Sequence, residues 1–328
     1  MLAGPYGGLF YCLRISYSRD MTEIPYSNPD ALLGDIKKKP VMPEIVQNLH
    51  NMLPGIATGL VERSQDMSDP ANQAFAQEPD NPNSHSPKWH QLGVVSHSYE
   101  FGRAMRESIP AYLQEWGLAQ SVDTALSEEV DGVPKRQLLQ AVSLLHDVGK
   151  FTARKITRDP TTGAVSTSFE DHEVHSGEIV RGELSPVLTD WGLSPHQIDY
   201  IATCTELHFE LGKVRRVSKA VGGYTMAFID TPEFRATAQE IIDTHPDYAL
   251  EIGLQFIADS LSKTEVVPRS GVGSTDQEIE QERPWVSAEL ERKHLDPRLV
   301  NQAMQQPINL KVTKAYLTQW ADTSTVAA

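Results

Sequence analysis

The run AVSLLHDVGKF, residues 141–151, ends a mostly aliphatic stretch on His146 and Asp147 and then sets Gly149 and Lys150 beyond them. A helix that buries Leu144 and Leu145 has no packing reason to carry an imidazole and a carboxylate at its inner end. Buried polar groups are costly unless paired. The rest of the chain must therefore supply partners.

Working outward, apolar spacing predicts helices over 91–117, 134–147, 172–184, 194–209, 231–244 and 246–263, with two shorter ones over 296–305 and 309–320. Ser194, Pro195 and Gln197 read as N-cap, first helical residue and capping-box partner, and Thr231-Pro232 repeats the cap-then-proline order. The stretch RKITRDPTTGAVSTSF, 154–169, carries β-branched residues around a Thr-Gly turn and predicts a short hairpin. Residues 43–64 have a helical rhythm that Pro54 breaks, 66–88 read as a flexible linker or surface loop, and 265–284 as a mobile connection. The fold class expected is an all-α bundle with a short β-hairpin insertion and appended ends.

The totals narrow the function. Against 29 lysines and arginines stand 44 acidic residues, a net charge of −15. So acidic a surface disfavours extended nucleic acid and anionic lipid. A small anionic substrate stays open where cations cluster, as at Lys150, Arg154, Lys155 and Arg158, and at Lys213, Arg215, Arg216 and Lys219. No stretch has the roughly 18 apolar residues of a membrane helix. Two cysteines, Cys12 and Cys204, make no disulfide framework and suit a reducing cytoplasm. The first twenty residues resemble no signal peptide, and Met21 is the more ordinary start.

Histidines recur at helix ends among apolar neighbours. His97 lies in GVVSHSYEF, His172 and His175 in FEDHEVHSGEIV, His208 in IATCTELHFEL, and Asp259 in LQFIADSLSK. Imidazoles and carboxylates converging on one interior would be ruinous without a ligand. As a cage for one or two divalent ions (Mn, Fe, Co, Ni, Mg or Zn) they are ordinary chemistry. His90, seven residues before His97, can line the rim, and Cys204 reads as a small buried residue. His50, His85, His196, His245 and His294 read as surface or capping residues.

The order GVVSH, LLHDVGKFTA, SFEDHEVHSG, ELH and IAD resembles the HD-domain superfamily of metal-dependent phosphohydrolases, most closely the HD domain appended to bacterial tRNA nucleotidyltransferases. The resemblance covers 88–265, leaving 1–87 as an N-terminal extension with linker and 266–328 as a C-terminal helical extension. It implies that His97, His146, Asp147 and Asp259 hold one metal, and that His172 and His208 hold a second with Asp147 bridging. Two departures bear on the second site: Asp171 stands where the family has glycine, and Ser176-Gly177 where it has Gly-Ala. The implied activity is hydrolysis of a nucleotide or small phosphoester by a metal-activated water, as a phosphatase or phosphodiesterase. Asp147, Lys150 and His175 would be catalytic, and Lys150, Arg215 and Arg216 would bind substrate. Lys150 reads equally as a surface lysine, and His175 as a hydrogen-bonding neighbour. A di-iron oxygenase uses the same cage, and a non-catalytic HD sensor module is a further alternative.

Overall fold

The structure, a computed structural model, describes residues 41–163 and 165–326; Cys12 and the expected start at Met21 lie outside them. Helix α1 (Met42–Ser64) buries Ile45, Leu49, Leu53, Ala57 and Leu60 along one stripe and continues past Pro54. Proline has no N–H for the carbonyl four residues back. Tyr99 takes its place: its hydroxyl donates to the His50 carbonyl at 2.8 Å, and its ring stacks on His50. The break expected at Pro54 is therefore absent.

The stretch read as a linker carries α2 (Pro70–Gln77) and α3 (Pro82–His85). Asp69 and Asn81 accept the N–H groups of Ala71 and Asn83 at 2.9 Å, each with proline in the first position. The Asp-Pro and Asn-Pro pairs that look like loop punctuation are helix starts. His85, expected at the surface, is fully buried.

Helix α4 (Val94–Arg103) passes through a π turn at 104–108 into α5 (Ile109–Glu115), followed by α6 (Ala119–Leu126). Strands β1 (Glu129–Val130) and β2 (Val133–Pro134) pair across Asp131-Gly132 and lead into α7 (Lys135–Leu145) and α8 (Lys150–Ala153). The expected hairpin is present as β3 (Lys155–Arg158) and β4 (Val165–Ser168), with Ile156 opposite Thr167. Then follow α9 (His172–Arg181), α10 (Ser185–Asp190), α11 (Pro195–Leu207), α12 (Val214–Ser218), α13 (Pro232–Thr244) and α14 (Ala249–Leu261). The capping box of Ser194 and Gln197 starts α11, and Thr231 caps α13.

The last elements are α15 (Asp276–Gln281), α16 (Arg283–Arg292), α17 (Val300–Met304) and α18 (Gln306–Val326). The connection before them is tied down rather than loose. Gln91 accepts from the Glu265 N–H at 3.0 Å, and Glu282 accepts from Arg269 and Ser270 at 2.6 and 2.8 Å.

The described chain is thus mostly helical, with two small antiparallel sheets. Residues 249–260 of α14 are buried throughout, against α18 and α4. Helix α7 packs on α1, α4 and α11, and α9 on α11. No described helix is long and apolar enough to cross a membrane. Cys204 is a free, buried thiol.

Candidate metal centre

The elements above bring six side chains to one interior point. His146 is the C-cap of α7 and Asp147 the residue after it; His208 is the C-cap of α11, His172 the first residue of α9, and His97 and Asp259 lie inside α4 and α14. They form two triads, His97–His146–Asp259 and Asp147–His172–His208, whose ligand atoms lie within 4.8 Å of one another in each. Asp147 faces both. Its Oδ2 is 3.4 Å from His97 Nε2 and 3.3 Å from His146 Nε2, while Oδ1 is 3.2 Å from His172 Nε2 and 3.7 Å from His208 Nε2. His97 Nε2 is also 3.2 Å from Asp259 Oδ1.

Each imidazole is oriented by a main-chain carbonyl. Nδ1 of His146, His172 and His208 faces the carbonyl three residues earlier, of Ser143, Phe169 and Thr205, at 3.0, 2.8 and 2.7 Å. His97 Nδ1 faces the Ser262 carbonyl at 3.3 Å. Carbonyls only accept, so in the neutral form of each ring the proton belongs on Nδ1 and Nε2 is the nitrogen that carries the lone pair. Two of these carbonyls, of Ser143 and Thr205, belong to the last turns of α7 and α11, and that of Ser262 to the C-cap of α14, where helix carbonyls lack partners.

That arrangement can hold a cation. Nε2 of His97 and Nε2 of His146 stand 3.4 Å apart, two acceptors face to face when both rings are neutral. Asp147 Oδ1 is buried without a hydrogen-bond partner. Acceptors facing acceptors in a dry interior repel unless an ion draws them together. Burial, with the neighbouring His146 second, pushes the His208 pKa down to about 3, and burial lowers that of His97. Both rings are therefore neutral at pH 7, the form that ligates.

Two lysines complete the centre. Lys150 Nζ donates to Asp147 Oδ2 at 2.6 Å and to His85 Nε2 at 3.0 Å. Lys263, one turn after Asp259 on the same face, pairs with the second carboxylate. Burial would raise both carboxyl pKa values, but Lys150 beside Asp147 and Lys263 beside Asp259 hold them well below the usual range.

No family model, curated protein or solved structure matches the chain. The centre is thus read from its own geometry: buried His and Asp groups that can hold divalent ions. Lys150 is buried, which excludes its surface reading. His175 stands outside the triads, half-exposed, with Nδ1 3.3 Å from Glu178. Arg215 lies over the Tyr224 and Phe256 rings and donates to Asn309 at 3.2 Å, and its charge reaches Lys263; Arg216 is exposed on the same helix. The sequence reading passes over Lys263, although its spacing from Asp259 is a usable signal. It sets His85 aside for want of any, since the residues around it form no apolar helical pattern.

Asp171 and Ser176 are each held by local structure. Asp171 adopts a left-handed φ of 58°, which glycine favours and Asp tolerates. The Ser176 hydroxyl accepts from the Gly149 N–H at 2.9 Å and lies 2.8 Å from the His146 carbonyl, tying α9 to the His146–Asp147 turn. That contact leaves no room at Gly149, where a Cβ would fall 2.1 Å from the His172 carbonyl oxygen and 2.5 Å from the Ser176 nitrogen. Gly149→Ala is expected to cost about 1–3 kcal/mol in chemical denaturation. It should also weaken one bound ion more than the other, as a two-site metal titration would read.

Proposed function

We propose that the protein is a metal-dependent phosphohydrolase of the HD-domain superfamily, with residues 88–265 as the motif-bearing segment, acting on a nucleotide or other small phosphoester. The observation that carries this reading is the Asp147 carboxylate, whose oxygens face imidazoles of both triads with an ammonium group at its side. Divalent ions held by His97, His146, Asp147, His172, His208 and Asp259 would supply a Lewis acid and a water of lowered pKa. The protein's own groups do the rest. Lys150 holds negative charge on the phosphoester, in a site dry enough for that charge to count. Arg215 adds positive potential through Lys263, and Arg216 lies farther out. His175, half-exposed one turn beyond His172, is assigned the proton for the leaving oxygen.

The test is release of phosphate or nucleoside from a panel of nucleotides and phosphomonoesters by protein reconstituted with Mn, Co, Ni or Mg. Turnover of at least one compound, lost on chelation, is expected. Silence across the panel, with dioxygen uptake by iron-loaded protein, would transfer the centre to oxygenase chemistry.

A further inference from the structure

We infer that His90 contacts the phosphate oxygens of the substrate between Lys150 and Lys263, and that His85 is a positioning residue for both His90 and Lys150. The inference rests on the phosphohydrolase reading and adds to it a subsite built by the segment before α4.

His90 is 7% exposed, and its Nδ1 is buried with no hydrogen-bond partner. Its ring stacks on His85 at 3.9 Å between centroids and stands edge-on to the candidate ligand His97 at 4.6 Å. The charges of Lys150 and Lys263 both reach it. A buried polar atom left unpaired inside such a cluster calls for a ligand.

The supports of His90 are paired, which sets it apart. His85 Nδ1 faces the Leu92 carbonyl at 2.9 Å, and its Nε2 accepts from Lys150. The main chain beside His90 is pinned to the end of α14, because the Gln91 N–H donates to the Lys263 carbonyl at 2.8 Å. His90 is therefore held from both sides while its buried Nδ1 has no partner.

Charge identifies the class of ligand. Asp147 and Asp259 are matched one for one by Lys150 and Lys263, so these four groups sum to zero. Divalent ions in the triads would leave a buried positive excess, which calls for an anion of more than one charge. A phosphate dianion, with several acceptor oxygens, suits two ammonium groups and an imidazole together.

The test is calorimetric titration of inorganic phosphate into the full-length, Mn-loaded protein, with bound Mn counted and folding checked by circular dichroism. His90→Phe keeps the ring stack and removes both nitrogens. It should weaken phosphate binding about tenfold to a hundredfold with Mn content unchanged. His90→Gln, which keeps an amide donor, should recover part of the loss, and His85→Phe should give a smaller one. Wild-type affinity in folded His90→Phe, or loss of Mn from it, would overturn the inference while leaving the phosphohydrolase reading in place. Absence of phosphate binding and of turnover in the wild type would overturn both.

Discussion

Asp147→Ala should abolish turnover and at the same time destabilise the ion-free protein by about 3–5 kcal/mol. Two separate causes meet in this residue. Its oxygens face both triads, so neither ion site survives its loss intact. Without ions, Asp147 is also the counter-charge of Lys150, which is 6% exposed and would be left buried without a carboxylate. The double variant Asp147→Ala with Lys150→Met separates the causes, since it removes the stranded charge and not the defect in the centre. Urea denaturation of the chelated proteins should show most of the stability restored, while phosphate release stays absent. A single variant as stable as wild type would mean that the buried ion pair carries no weight.

Saturating Mn should raise the thermal midpoint at pH 7, and acid should undo the gain. An ion that binds only the folded chain, at about a thousand times its dissociation constant, stabilises it by about 4 kcal/mol. For a chain of this size that is on the order of 8 °C. The pH dependence has a definite sign. In the unfolded chain His208 takes a proton near its ordinary 6.5, whereas in the fold burial holds it to about 3. Between those values the unfolded state binds more protons, so stability falls as pH is lowered through this window and is level above it. His85, His90 and His97 are displaced in the same direction, burial being the largest cause for each. Scanning calorimetry from pH 7.5 to 5 should show the midpoint falling in chelator, and falling more steeply with Mn, where protons also compete for the lone pairs. A midpoint indifferent to Mn at pH 7 would count against an ion in the triads.

The six side chains gathered in the triads are legible in the sequence through their order, helix by helix, since each signal taken singly is weak. An imidazole or carboxylate at the inner end of an apolar helix stands out, as His146, Asp147 and His208 do. Helix starts with a cap and a proline, such as Ser194-Pro195 and Thr231-Pro232, are equally plain. The same signal at Asp69-Pro70 and Asn81-Pro82 is masked by polar surroundings that suggest a loop. Helix α1 survives Pro54 only through Tyr99, a partner 45 residues on that no local rule connects to it. His85 is hidden for a related reason. Lys150 and His97, far off in sequence, close over it together with the nearby His90 and Leu92, and none of these contacts shows as an apolar pattern.

The carbonyls behind the imidazoles have a consequence for how such a centre can change. In many metal sites the groups that orient the ligands are side chains, so one point mutation can retune or spoil them. Here the orienting oxygens of Ser143, Phe169, Thr205 and Ser262 belong to the peptide backbone. Any residue at those positions keeps the oxygen, provided the chain ends its turn at the same place. The centre is thus buffered against exchange of its outer neighbours and exposed instead to insertions and deletions. One residue added or lost in the last turn of α7 or α11 would rotate a ring by about 100°.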